Sequence, residues 1–392
     1  MMRVAFFTDS FHEINGVAHT SRNLDAFAKR RQYPFLSVHA GPETKLEVAG
    51  QHRELNLGRS ALSVPLDNGM GFDTLFFRHW KRVLQAVQEF QPDVLHITGP
   101  SDVGILGASI AKHLHIPLLA SWHTNLHEYA GSRLGQMIPS KGLEKWAEDR
   151  SMWALARYYA MGNLLLAPNE ELRQLMEKTA KRPCRLMYRG VDRKLFNPMR
   201  RTRKDDAVVL GFCGRLRPEK NVAVLPQIEE TLRKEGFTNY RFSIVGDGSE
   251  RESLGAKLKQ VEFHGVLRGE ALAEAYANMD LFLFPSWTDT FGNVILEALA
   301  SGVPCVVTSG GGPKFLVEEG VDGTVATSDA KFIAAAACLA RQADGLARMK
   351  QGALHSKQVQ TWDDVFEELY RQYAECVELA KRAPRAVALP SN

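Results

Sequence analysis

The 392-residue chain lacks several features that would each have fixed a class. No run approaches the ~20 apolar residues of a membrane-spanning helix, and Met1-Met-Arg-Val-Ala-Phe-Phe-Thr-Asp9 leads straight into a strand pattern rather than a signal peptide. Cysteine is scarce: five residues at 184, 213, 305, 338 and 376 have no metal-ligand spacing, and their odd number argues against a disulfide framework. These absences lead us to expect a cytoplasmic protein without a resident metal. Charge is close to balance, formally +4, too little to indicate a nucleic-acid partner. No solenoid-length repeat and no low-complexity tract occurs. The turn after the first strand has no G-x-G-x-x-G, which argues against a dinucleotide cofactor and disfavours a dehydrogenase.

What is present is an ordinary globular composition, 45% hydrophobic and 24% charged, on a chain longer than one core normally serves, so about two domains are expected. Apolar strand patterns at 4–7, 37–39, 94–97, 117–120, 164–167 and 185–187 alternate with helical patterns at 17–31, 74–90, 102–114, 143–160 and 169–179. A second series has strands at 208–212, 242–245, 261–265, 281–284 and 305–308. Such alternation predicts parallel sheets covered on both faces, an α/β class. Composition places an N-terminal domain over 1–198, a basic linker over 199–206 and a C-terminal domain over 207–361. The helical stretch 362–382 carries Trp362, Phe366, Leu369 and Tyr373 on one stripe, and a flexible tail is expected over 383–392.

The most informative stretch is Ser286-Trp-Thr-Asp-Thr-Phe-Gly-Asn-Val-Ile-Leu-Glu297, which follows the apolar Leu281–Phe284. A strand feeding a loop and then a helix start is where doubly wound sheets bind ligands. The N–H groups of Gly292, Asn293 and Val294 at that start suit a diphosphate, and Gly292 permits close approach. Asp289 and Glu297, eight positions apart, are candidates to hold the hydroxyls of a sugar and of a ribose. The alternative is local: Glu297 complements a helix dipole and Asp289 caps a turn.

The stretch resembles the E-x7-E signature of the retaining GT-B glycosyltransferases of family four, which include sucrose synthases and phosphatidylinositol mannosyltransferases. It lies nearest the branch that glycosylates lipids, with Asp289 standing where most members have Glu. Other motifs fall in the family's order across nearly the whole chain. Asn15-Gly-Val17 resembles the first loop, whose glycine, here Gly16, touches the donor phosphate. His123 in Ser121-Trp-His-Thr124 resembles the active-site histidine, whereas His127 reads as a local loop residue and Glu128 as an acceptor contact. Gly214-Arg215 with Glu219-Lys220 resembles the paired cations that neutralise a departing diphosphate.

The resemblance implies two facing Rossmann-like domains with a C-terminal helix crossing back to the first. It implies transfer of a hexosyl group from a UDP- or GDP-sugar to a lipid or saccharide hydroxyl, with retention and without a metal or other cofactor. Glu297 is then expected to hold the ribose, Asp289 and His123 the sugar, and Arg215, Lys220 and the amides at 292–294 the diphosphate. Phe291 joins the donor loop, and the backbone at Val266 and Leu267 is expected to meet the base. Rival readings are a sugar-nucleotide epimerase on the same scaffold and a non-catalytic nucleotide-sugar-binding protein.

Between Lys181 and Lys204 stand ten Lys or Arg and one acid, Asp192. With Lys29-Arg-Arg31 and Arg78-His-Trp-Lys-Arg82 they suggest a peripheral seat on an anionic membrane, or else a solvated charged face. Trp146, Trp153, Tyr158 and Tyr159 suggest either interfacial anchors or core. The turn Gly310-Gly-Gly-Pro313 suggests close backbone approach to a ligand or facing domain, or plain flexibility.

Overall fold

The computed structural model describes residues 1–13, 16–65, 71–122 and 141–382. Two compact units emerge: Met1–Tyr188 with Asp363–Asn392, and Arg189–Trp362. The expected tail at 383–392 lies outside the described residues.

In the first unit, β1 (Val4–Thr8) is buried at every position, as a strand covered on both faces must be. It leads to α1 (Gly16–Arg30), β2 (Phe35–Gly41), β3 (Lys45–Ala49) and β4 (His52–Gly58), then a small hairpin, β5 (Ser63–Pro65) and β6 (Gly71–Asp73). A 3-10 turn at Phe76–His79 precedes α2 (Trp80–Phe90), so the helical pattern expected from 74 begins as a tighter turn. The remainder is β7 (Val94–Ile97), α3 (Asp102–Leu114), β8 (Leu118–Ser121), α4 (Lys141–Tyr159), β9 (Leu164–Ala167), α5 (Glu170–Ala180) and β10 (Cys184–Leu186). The sheet order is β10-β9-β8-β7-β1-β2-β4-β3.

All its neighbours run parallel except β3, which pairs antiparallel with β4. Sequence reading missed this edge pair. Every residue of β3 is exposed, so it lacks the apolar run that betrays a central strand.

The second unit contains β11 (Val208–Cys213), α6 (Leu225–Lys234), β12 (Tyr240–Val245), α7 (Arg251–Lys257), β13 (Val261–Gly265), α8 (Gly269–Ala277), β14 (Leu281–Phe284), α9 (Asn293–Ala300), β15 (Cys305–Thr308), β16 (Gly323–Ala326), α10 (Asp329–Arg341) and α11 (Ala343–Leu354). Its order, β13-β12-β11-β14-β15-β16, is wholly parallel. The order reverses between β11 and β14, the switch point at which α/β sheets open a crevice beyond their strand ends. Arg215 and Lys220 follow β11, and the Ser286–Glu297 stretch follows β14, so both fall beside that crevice.

Residues 199–206, read from composition as a linker, lie inside this second unit. Thr202 N–H donates to Asn278 at 2.9 Å, and Arg201 and Arg203 both bind the buried carboxylate of Asp280. Lys350 and the N–H of Val209, at 2.9 Å, complete that clasp. The last helix, α12 (Trp362–Arg382), returns to the first unit. Phe366 meets Phe27 at 5.5 Å between ring centroids, Tyr370 meets Tyr33 at 4.7 Å, and the Tyr373 hydroxyl bonds Nδ1 of buried His96 at 2.8 Å.

Candidate functional site

The loop after β14 is held from three directions. Asn221 donates to the Pro285 carbonyl at 3.3 Å and to Asp329 at 2.9 Å, and the Trp287 indole donates to the same Asp329 oxygen at 2.8 Å. The Ser286 hydroxyl donates to the Glu219 carbonyl at 3.2 Å. Gly310, Gly311 and Gly312 press against the loop: a Cβ at these positions would overlap the carbonyl oxygens of Trp287, Asp289 and Thr290 in turn. Gly312 N–H donates to Asp289 O at 2.8 Å. The glycine turn is therefore a clamp on the Asp289 loop, which neither reading of its sequence anticipated. At the far end Gly292 adopts φ +104°, where a side chain would be strained, and opens α9. The first N–H groups of a helix have no intrahelical acceptor, so this start is suited to an anion.

Lys220 and Asp289 come together: Nζ lies 2.7 Å from both carboxylate oxygens, the two side chains being 13% and 25% exposed. The same ammonium lies 5.7 Å from the Phe284 ring centroid. One half-buried charge pair thus stands where the sequence suggested two separate roles. Arg215 is more open, 44% exposed, with Glu219 at 3.7 Å.

Glu297 sits one turn into α9, half-buried. Burial raises its pKa to about 7, against a smaller lowering by the Tyr276 hydroxyl. That hydroxyl, buried on α8, lies within electrostatic reach of Glu297 and of the Cys213 thiol, without a hydrogen bond of full geometry to either. Burial likewise pushes Cys213 up to about 12. Tyr276 and Cys213 form a floor beneath Glu297 that no motif signalled.

Phe291 is 7% exposed and packs in the core, with the Arg189 guanidinium 5.9 Å from its ring, so its backbone alone is left to face a ligand. Burial lowers the Arg189 pKa to about 10. Val266 is 64% exposed and Leu267 packs partly on the core, both directly after β13. Gly16, exposed, is the first residue of α1 in the other unit. His123, His127 and Glu128 lie outside the described residues. Among the described residues no group of three or more His, Cys, Asp or Glu is placed to hold a metal.

Two family descriptions match the chain: Glycosyltransferase Family 4 over residues 15–195 and Glycosyl transferases group 1 over residues 207–342. A GDP-mannose-dependent alpha-mannosyltransferase of Mycolicibacterium smegmatis is 33% identical over 316 residues, 78% of this chain and 79% of that protein. The chain is a family-four glycosyltransferase. A protein of the same description from Corynebacterium glutamicum is 28% identical across 100% of this chain and 93% of its own length. The fold of this glycosyltransferase matches sucrose-phosphate synthase of Thermosynechococcus elongatus with a TM-score of 0.72 at 14% identity, over 96% of this chain and 100% of that one. The GT-B architecture inferred from the motifs is the one found.

Much of the basic sequence cluster at 181–204 is already engaged. Arg182 donates to Ala160 O at 2.9 Å, and Arg185 pairs with Glu375 at 2.6 Å and Arg200 with Glu270 at 3.3 Å. Arg189 is buried, Arg201 and Arg203 hold Asp280, and the cluster divides between the two units. Arg30 and Arg31 likewise pair with Asp363 and Glu367 on α12. Tyr159 is core and Tyr158 bonds the Gly99 carbonyl, whereas Trp153 is 57% exposed. No described helix is long and apolar enough to cross a membrane.

Proposed function

We propose that this glycosyltransferase moves a mannosyl group from GDP-mannose, with retention of configuration and without a metal, to a hydroxyl of a lipid or saccharide acceptor. The observation that carries the reading is the union of a half-buried Lys220–Asp289 pair, a helix start opened by Gly292, and half-buried Glu297 around one strand-end crevice. The relatives described as GDP-mannose-dependent support the choice of base and sugar.

Glu297 accepts from the ribose hydroxyls, and the amides at 292–294 with Arg215 and Lys220 take the diphosphate. The role of these groups is electrostatic: negative charge grows on the diphosphate as the glycosyl bond breaks, and fixed cations and N–H dipoles stabilise it. Asp289 holds the Lys220 ammonium and accepts from a sugar hydroxyl, and His123 is assigned to the sugar as well. The acceptor hydroxyl bonds to the anomeric carbon on the face the phosphate leaves, and its proton passes to a departing phosphate oxygen. Two cations and the helix start supply the neutralisation that a metal would otherwise provide.

Exposed apolar side chains in the first unit, next to exposed cations, support an acceptor at a membrane surface. Leu62, Leu75 and Phe77 are 65%, 49% and 48% exposed, with Lys81 and Arg82 exposed on the following helix. Each such cation is worth about 1 kcal/mol near anionic lipid. Flotation with phosphatidylglycerol vesicles but not with neutral ones is expected; equal flotation removes the membrane from the proposal.

The donor is tested by thermal denaturation with GDP-, UDP- and ADP-sugars, because a ligand of the folded state alone raises the melting temperature. GDP-mannose should give the largest shift, and Glu297→Ala should abolish it. A larger shift with a UDP-sugar reassigns the donor, and no shift with any sugar nucleotide refutes the assignment of the site.

A further inference from the structure

β3 closes the sheet of the first unit at one edge, and all five of its residues are exposed. It reaches β4 through Gly50 and Gln51, with Gly50 at φ +62°, the type II′ turn of a two-residue hairpin. In such a hairpin the residues flanking the loop, here Ala49 and His52, exchange both backbone hydrogen bonds, and the pattern alternates from there. Ala49, Glu47 and Lys45 therefore direct their N–H and C=O groups at His52, Glu54 and Asn56 of β4. Leu46 and Val48 turn theirs outward, where among the described residues no group bonds them.

The side chains suit that open backbone. Leu46 stands opposite Leu55, which is 1% exposed in the core, whereas Leu46 is 46% and Val48 61% exposed. An apolar row on the core face of the sheet thus runs out to its rim. Lys45 and Glu47 share the other face and pair at 2.7 Å. Proteins that remain monomeric guard such an edge with a proline, a bulge, an unpaired charge or a covering element. Among the described residues β3 has none of these: it lacks proline, its register with β4 does not shift, and its lysine is offset by Glu47.

We propose that β3 is a self-association edge, at which a second copy of this chain adds its own β3 antiparallel, joining the two sheets about a two-fold axis. The proposal stands apart from the donor and acceptor assignments. Outward groups must meet outward groups, so the axis passes through Leu46, Glu47 or Val48, and charge selects among them. An axis at Glu47 sets two carboxylates directly opposite each other in a pair without hydrogen bonds, where side chains stand closest. An axis at Val48 leaves Glu47 facing an alanine. With the axis at Leu46, that leucine and the partner's Leu46 exchange backbone hydrogen bonds, and Lys45 faces the partner's Glu47 on both sides of the axis. A strand pair this short buries less than the ~1,200 Å² of a stable complex, so the dimer is weak and forms as concentration rises.

The test is sedimentation velocity of the full chain over a concentration series, with wild type expected to pass from monomer to dimer. Lys45→Glu and Glu47→Lys each set like charges across the axis and should each weaken the dimer about tenfold or more. The double variant restores opposite charges and should recover it. Leu46→Pro removes an outward N–H while sparing the bonds to β4, and should stay monomeric throughout. At dilution all four variants should keep the wild-type circular dichroism and donor-induced thermal shift. Wild type that stays monomeric at every concentration overturns the proposal, whether the edge is idle or serves a different protein. A dimer that survives Leu46→Pro, or a double variant as weak as the single ones, overturns it equally.

Discussion

Replacing Glu297 by Gln should make the protein more stable and less active, and the size of the effect follows from its burial. The carboxyl is shifted from an ordinary 4.5 to about 7 in the folded protein. At 1.36 kcal/mol per unit, that shift corresponds to about 3 kcal/mol of stability, a ceiling to order of magnitude because the side chain keeps some exposure. The folded protein holds the proton more tightly than the unfolded chain does. Stability is therefore fully present below about pH 4.5, falls as pH rises towards 7, and stays reduced above it. Gln cannot ionise and escapes the penalty. At pH 8 Glu297→Gln should melt higher by several degrees, taking roughly 2–4 °C per kcal/mol for a domain of this size, and the gap should close below about pH 5. Donor binding should move the other way. A carboxylate accepting two ribose hydroxyls must be ionised, so wild-type affinity for GDP-mannose should weaken about tenfold per pH unit below 7, and the variant should bind poorly at every pH. Calorimetric melting across pH 4–9, paired with titration of GDP-mannose, measures both. Parallel melting curves for the two proteins, or unimpaired binding by the variant, would refute the reasoning.

Three further outcomes test the scaffold. Asp280→Ala strands Arg203 and Lys350 around a buried gap and should cost about 3–5 kcal/mol, read as a lowered urea midpoint. Gly312→Ala drives a Cβ into the Thr290 carbonyl. It should displace the Asp289 loop, costing about 1–3 kcal/mol and weakening donor affinity more than melting temperature, as binding titrations would reveal. Tyr373→Phe removes the hydroxyl from His96 Nδ1 and should cost about 1–3 kcal/mol by denaturant unfolding, with the donor-induced thermal shift unchanged.

The fold was legible because buried parallel strands are continuous apolar runs and the helices between them have a different period. That logic fails where a strand is exposed, as along Lys45–Ala49, or half-buried and weakly apolar, as at Gly323–Ala326. The site was legible as residue types in order, and less so as partnerships. Lys220 and Asp289 meet across 69 positions of sequence, so nothing local marks them as one unit. Tyr276 lies under Glu297 because two helices pack side by side, and from sequence it is one aromatic among many on an amphipathic helix. Composition also misled: the basic run at 181–204 looks like a free surface in one dimension, but folding gives half of its ten cations carboxylates and carbonyls to hold.

The return of the last helix to the first unit sets a timetable for synthesis on the ribosome. Residues 1–188 emerge with Phe27, Tyr33 and His96 awaiting partners that lie beyond residue 362; His96 and Tyr373 are 277 positions apart. At roughly 5–20 residues per second, the intervening chain takes on the order of 10–40 s to translate. During that interval the second unit, continuous in sequence, has all it needs to fold, while the first presents an uncovered aromatic seam. The enzyme's first half is thus the last to be finished, and that seam is where a chaperone would find it.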